Sequence, residues 1–511
     1  MKKMIRCLAL LSAVLMCMTA TGCNLILEET VTSRYMDSDT PGTPSQGDIS
    51  TDGTTADGDI TVVTDNAGNV TPDKSNTGGK ADVVKRTTVT TAKPADTARQ
   101  EPKLSGKLEL QIFTNESQTA DGGWTKVINA FEDATGIAVT AHIGSSVNTM
   151  MSARWRKDNP PDFIWLDGSG IPDVQYEAAG KFADLSDLYQ NGYVYGTETK
   201  IKNVIDKNML RYHGNALTRM SLLNIAGGLW YDAKFLESKG LSVPQNYTEL
   251  LETAKKAKKL GLSTYTYPGL YPSYCMSNFI IPAIAAYGQS YLDAWLSGSK
   301  AAMQDARFKK VLENYTAFCR TGGYLMTGST TMDHTSTQQK WINHQTLFIA
   351  NGLWLPDETR KLWAAKNFDM TWTTSPLIES NQKPTAVLNS KYIAVPTKAK
   401  NKENALAFVR FLMREDSQKT LMYSFGYMGV RTDMKFDTAQ FIRESGGSDA
   451  AKATAKALDR IMSSGVQRVY WHESWGSLGE TIATEINELS VTNGKSVDQV
   501  IAAIAAAAPK P

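Results

Sequence analysis

Aromatic side chains are almost missing from the first fifth of this 511-residue chain, where Tyr35 alone precedes Phe113. A segment so poor in large apolar groups cannot bury enough surface to offset the entropy of ordering it, which excludes a packed core there. An excess of charge is missing too. Lys plus Arg number 54 against 52 Asp plus Glu, a balance of +2, so there is no global electrostatic case for binding nucleic acid. The five histidines are isolated, and H-E-x-x-H and G-x-S-x-G do not occur, which leaves zinc hydrolysis and the serine-elbow mechanism without support. Gly494-Lys495-Ser496 ends like a phosphate loop, but Leu489 stands where the opening glycine belongs, so it reads as a turn between helices. Neither a metal nor a cofactor is expected. Beyond the leader only Cys23, Cys275 and Cys319 remain; the last two either pair or stay as buried thiols, and spacing alone leaves both open.

What is present begins with a leader. Lys2, Lys3 and Arg6 precede an apolar stretch from Cys7 to Met18 and then small residues, the order of a secretory signal and too short to span a bilayer. Ala20-Thr21-Gly22-Cys23 resembles a bacterial lipobox, with Ala20 where such boxes usually carry Leu. The reading is a signal peptide over 1–22 and a lipidated Cys23; ordinary cleavage with Cys23 as a bystander is the alternative. Residues 23–105 read as a disordered linker: eight Asp and no Lys or Arg between Asp37 and Asp73, then mostly basic residues, with Thr, Gly, Ser and Pro throughout. Residues 24–105 reach roughly 270 Å fully extended, or about 50 Å root mean square as a flexible coil. Such a tether holds a domain clear of a membrane.

All eleven tryptophans lie beyond this linker. KLELQIFT, from Lys107, has the apolar pattern of a strand. A helical stripe of Val127, Ile128 and Phe131 follows and stops at Gly136, IAVTAHI reads as a second strand, and PPDFIWLD contains a third. Strand, helix, strand, helix, strand predicts a parallel sheet with helices on its faces. Ligands of such sheets sit beyond the carboxyl ends of the strands, here Thr114 to Glu116 and Asp167 to Gly170. The lysine-rich helix TELLETAKKAKKLG reads as solvated, with Thr248 as its cap.

From residue 106 onward the chain resembles the extracellular solute-binding proteins of the maltose-binding type. WTKVINAFEDATGIAVTAHI, PPDFIWLD and KFADLSDL look like that family's first lobe. NIAGGLWYDAKFLESKGLSVPQNYTELLETAKKAKKLG resembles its crossing into the second lobe, WINHQTLFIANGLWLP its Gly-x-Trp turn, and KYIAVPTKAKNKENALAFVRFLMRED its return strand and helix. The resemblance implies a two-lobed α/β fold of the periplasmic-binding-protein type, occupying 106–511 behind the tether. By analogy one lobe takes about 106–221 and 387–430, and the other about 222–386 and 431–508. It also implies capture of a mono- or oligosaccharide between hinged lobes and delivery to the permease subunits of an importer powered by ATP. On that reading the protein is a monomer anchored on the extracytoplasmic face of the cell membrane, and it is not an enzyme.

Sugar sites combine aromatic platforms with carboxylates and amides. Trp354 and Trp475 hold the positions whose tryptophans stack on sugar in the resembling family, and Tyr271 and Tyr274 lie in a region that also contributes an aromatic. Asn115, Glu116 and Asp167 match its polar first-lobe loops. Trp124, Trp165, Trp295, Trp341, Trp363 and Trp372 read instead as packing residues. Two further readings stay open: a tethered exported carbohydrate-active enzyme, for which Asp167, Glu379, Glu473 and Glu480 are carboxylates without a distinctive spacing, and a binding protein that reports to a sensor. Lipidation carries its own test. Cys23→Ala should move the protein from the membrane fraction to the soluble one, and an unchanged distribution, or a mature N-terminus elsewhere, would sink the anchor.

Overall fold

The computed structural model describes residues 61–64, 70–71, 99–114, 122–167, 171–363, 366–379, 381–471 and 477–508. Within the segment read as a tether, two short strands occur, β1 (Thr61–Thr64) and β2 (Val70–Thr71). The threonines and valines of these strands favour extended backbone, and β1 pairs antiparallel with β4 (Ala138–Gly144), whose edge otherwise offers unpaired backbone groups. Tertiary contacts also start before Gly106. Glu101 accepts a hydrogen bond from Arg410 at 2.5 Å and another from the Gly196 amide at 2.8 Å.

The first half follows the expected alternation. β3 (Lys107–Phe113) runs parallel to β4 on one side and to β5 (Phe163–Leu166) on the other. The helix Gly123–Thr135 between β3 and β4 buries Trp124, Val127, Ile128 and Phe131, and ends at Gly136 in the left-handed conformation at φ 72°, where its amide bonds back to Glu132. The helix Val147–Arg156 joins β4 to β5. Glu109 of β3 ties three of these elements together. It takes a bidentate bond from Arg154 at 2.5 and 2.8 Å and contacts His142 of β4 at 2.9 Å.

A hairpin follows, from β6 (Leu210–His213) into β7 (Ala216–Asp232), a strand of 17 residues. Its first part pairs antiparallel with β11 (Thr385–Ala394), and residues 227–231 pair with β9 (Thr346–Gly352), itself parallel to β8 (Ser263–Thr266). β10 (Met370–Thr373) and β12 (Met428–Gly429) add to β7, and β13 (Gln467–Trp471) to β11. β11 changes company along its length: Thr385–Asn389 face β13, whereas Tyr392–Ala394 face β5, with a register irregularity at Lys391/Tyr392.

One core cluster covers the parallel strands, β7 and the helices Lys402–Leu412, Glu415–Phe425 and Asp449–Met462; a second covers β8, β9 and the helices between Ser273 and Thr316 and between Ser477 and Ala507. All six tryptophans read as packing residues are buried. Cys275 and Cys319 are free buried thiols near the Tyr315 hydroxyl, and burial pushes the Cys275 thiol up to about 12 and Cys319 higher still. One cap differs from expectation. The helix Tyr247–Lys259 is capped by Asn246, whose side chain accepts from the Glu249 amide, and Thr248 lies inside the first turn.

The Arg154 hydrogen bond, helped by His142 and opposed by burial, lowers the Glu109 pKa to about 2. A depressed carboxyl contributes stability above its unfolded value of 4.5, and loses it as pH falls towards about 2. Glu109→Gln should therefore destabilise by about 1 kcal/mol near neutrality, the size left to a partly exposed pair after solvent screening. Denaturant titrations of parent and variant should converge as the pH is lowered through that window.

Candidate functional site

Trp354 owes its position to a glycine. β9 is buried along its whole length and ends at Gly352, after which the chain turns through Leu353 into a short helix, Leu355–Glu358. The indole folds back over Gly352 so closely that a Cβ there would lie 2.1 Å from the ring. The Gly352 carbonyl is meanwhile held by the Trp230 indole N–H at 3.0 Å. Half-buried in this way, Trp354 packs against both core clusters.

Around it lies a recess of rings and polar tips. Tyr274 meets Trp354 edge to face at 6.5 Å, and His334 stacks on Tyr271 at 4.3 Å while meeting Tyr274 edge-on at 5.1 Å. Burial raises the Tyr274 hydroxyl well above its usual pKa, and the neighbouring Glu358, Tyr271 and Tyr427 push it in the same direction. Glu358 sits one turn beyond Trp354, its amide bonded to the Trp354 carbonyl at 3.0 Å. Gln338, from the helix His334–Ile342, donates to Glu358 Oε2 at 2.8 Å. Solvent reaches Glu358, yet protein atoms crowd its carboxyl and raise its pKa against the pull of Gln338, and the Asp357 charge adds to the rise.

Asp167, at the carboxyl end of β5, is held from both sides. Its carboxylate accepts from Lys391 of β11 at 2.6 Å, and its carbonyl accepts from Asn148 at 2.9 Å. Behind Asn148 a buried chain runs through Gln111 to the Trp155 indole N–H, each link 2.8 Å. The helix Asp173–Ala178, next along the chain, is fixed to β7 by Arg219, which binds Glu177 at 2.7 Å and also Asp173. Burial alone would raise the Glu177 pKa, but the hydrogen bonds and charge of Arg219, with Thr218 and Arg211, hold it below the usual carboxylate range.

The structure thus gathers Tyr271, Tyr274 and Trp354 into one recess, with Tyr274 only 4 % exposed and present there as wall more than as platform. Asp167 lies at the end of β5 in an ion pair. Asn115, Glu116, Trp475 and Cys23 lie outside the described residues, as do the carboxylate Glu473 and the side chain of Glu480. Sequence reasoning missed His334, Gln338, Glu358 and Tyr427. Only Glu358 carried a signal, its position one helical turn after the Gly-x-Trp. A separate surface cavity is lined by Trp155, Asp158, Lys181 and Lys398 and by none of the expected site residues. Among the described residues no three His, Cys, Asp or Glu are placed to hold a metal, and no helix is long and apolar enough to cross a membrane.

Rings stand beside a carboxylate and an amide in an α/β fold whose long strands serve two cores, an arrangement suited to binding polar solutes. The chain belongs to the family of bacterial extracellular solute-binding proteins, which it matches over residues 115–419. It is 23 % identical over 292 residues to the diacetylchitobiose-binding protein NgcE of Streptomyces coelicolor, a match covering 55 % of this chain and 60 % of that protein. In fold it is similar to apo RafE of Streptococcus pneumoniae, with TM-score 0.58 and 15 % identity over 80 % of this chain and 98 % of that one. A cyclic α-maltosyl-1,6-maltose-binding protein of Arthrobacter globiformis gives TM-score 0.59 and 14 % identity over 79 % and 97 %. These two-lobed relatives share the α/β architecture expected from the sequence.

The seat of Trp354 is testable without a ligand. Gly352→Ala should unseat the indole and destabilise by about 1–3 kcal/mol, the usual cost of overpacking. In a Trp354→Ala background the same methyl should cost far less, which a double-mutant cycle by denaturant unfolding measures.

Proposed function

We propose that the protein captures a mono- or oligosaccharide for an ATP-driven importer, from a lipid anchor at Cys23 on the outer face of the cell membrane. The observation that carries this reading is the recess itself. Ring faces of Trp354, Tyr271 and His334 suit the C–H faces of a sugar, and Glu358 and Gln338 suit its hydroxyls. Family membership supports the transport role. The ligands of these relatives are saccharides: diacetylchitobiose for NgcE, raffinose for RafE and a cyclic maltosyl-maltose for the Arthrobacter protein.

On this reading Asn115, Glu116, Asp167, Tyr271, Tyr274, Trp354 and Trp475 face the solute. The lobes, about 106–221 with 387–430 and about 222–386 with 431–508, close around it as rigid bodies. β7 and β11 are then the strands about which they close. Asp167 contributes from within its pair with Lys391, so a hydroxyl approaching it meets a neutralised carboxylate, not an isolated charge.

Calorimetric titration against a saccharide panel is the test. Trp354→Ala should weaken binding by about 1–3 kcal/mol, or roughly tenfold to a hundredfold and more in Kd. Trp165→Ala, wholly buried at 0 % exposure, should instead lose about 3–5 kcal/mol of stability. If Trp354→Ala binds like the parent but melts early, its indole is packing and the site lies elsewhere.

A further inference from the structure

Glu358 is a carboxylate that solvent reaches, one helical turn beyond Trp354, with one oxygen engaged by Gln338. Its charge acts on the Tyr274 hydroxyl, and Tyr274 in turn meets the rings of Trp354 and His334. The charge acting on it is a second negative one, Asp357, and neither lysine nor arginine is bonded to it. Contrast Glu109, Glu177 and Asp167, each of which meets a cation directly. Lys391, the cation nearest in function, is committed to Asp167.

Resting on the saccharide reading above, we propose that Glu358 is a specificity-determining residue: its free oxygen accepts from the solute's hydroxyls, and its charge refuses saccharides that carry an acid group. A carboxylate on the solute would meet the Glu358 charge with no lysine or arginine bonded there to separate them. A hydroxyl in the same place would donate to Glu358, relieving a crowded charge that at present has a single protein donor. The accepted class is therefore neutral saccharides, with uronic-acid sugars and sugar acids rejected by repulsion.

Matched pairs test this on the full-length protein. Neutral di- and trisaccharides are titrated beside counterparts in which one hydroxymethyl group is a carboxylate, and the readout is the ratio of the two Kd values. For the parent the ratio should favour the neutral member on the order of tenfold or more. In Glu358→Gln the ratio should collapse towards unity, whatever happens to the absolute affinities. Glu358→Ala, which also removes the charge, should show the same collapse, and unfolding midpoints establish that both variants are folded. A parent that binds uronic counterparts as well as neutral ones overturns the proposal, and so does a ratio that survives in both variants. If no saccharide binds while another class of solute raises the melting temperature, the carbohydrate reading falls and this proposal falls with it. That outcome is distinct, because no ratio then exists to be measured.

Discussion

Everything at the recess depends on how β7 satisfies its backbone. A strand of 17 residues, about 55 Å long, must find partners for every buried N–H and C=O while moving from one core to another. Its early residues find β11 and its later ones β9, and the second set opens with Gly227 and Gly228. There the Gly228 amide donates to the side chain of Asn278 at 2.7 Å, so a helix side chain completes the accounting at the join. Both glycines are needed for that approach. A Cβ on Gly227 would lie 2.4 Å from Asn278 Oδ1, and one on Gly228 2.2 Å from the Trp372 indole. The same Asn278 donates to the Tyr274 carbonyl at 2.9 Å, and the segment of β7 that follows pairs with β9, which delivers Trp354. Two of the ring walls are thus hung from one short stretch of backbone.

Carboxylates in this protein show that burial does not by itself decide protonation. Glu177 is buried with Arg219, and its pKa goes down; Glu358 is crowded without a cation, and its pKa goes up. The first is fixed in its charged state and holds a helix to β7. The second is left with an electrostatic demand that the protein does not meet. Partners from distant parts of the chain make the difference, since Arg219 is 42 residues from Glu177 whereas Gln338 offers Glu358 only an amide.

Much of the fold was legible because it is written locally. The period-two run at Lys107–Phe113, the stripe at Val127, Ile128 and Phe131 and the stop at Gly136 each need only a few neighbouring residues to act. Gly352-Leu353-Trp354 was legible as a turn presenting an indole through its resemblance to the family's Gly-x-Trp segment. What stayed hidden comes together across long separations: Lys391 on Asp167 over 224 residues, and Arg410 on Glu101 over 309. Gln338 and His334 were equally hidden, because a polar residue near the start of a helix looks like any solvated one until β9 brings Trp354 beside it. The cap at Asn246 was missed by two positions, since asparagine and threonine serve equally well in that role and only the backbone angle separates them.

The two thiols in the second core have a practical side. Cys275 and Cys319 are shut away from solvent and are poorly ionised at neutral pH, so a maleimide or iodoacetamide has almost no thiolate to attack at either position. A cysteine placed on the rim of the recess would therefore be the reactive thiol among the described residues, without any need to remove the native pair. An environment-sensitive dye attached there turns solute arrival into an optical signal, and makes the domain a reagentless sensor for whatever it carries.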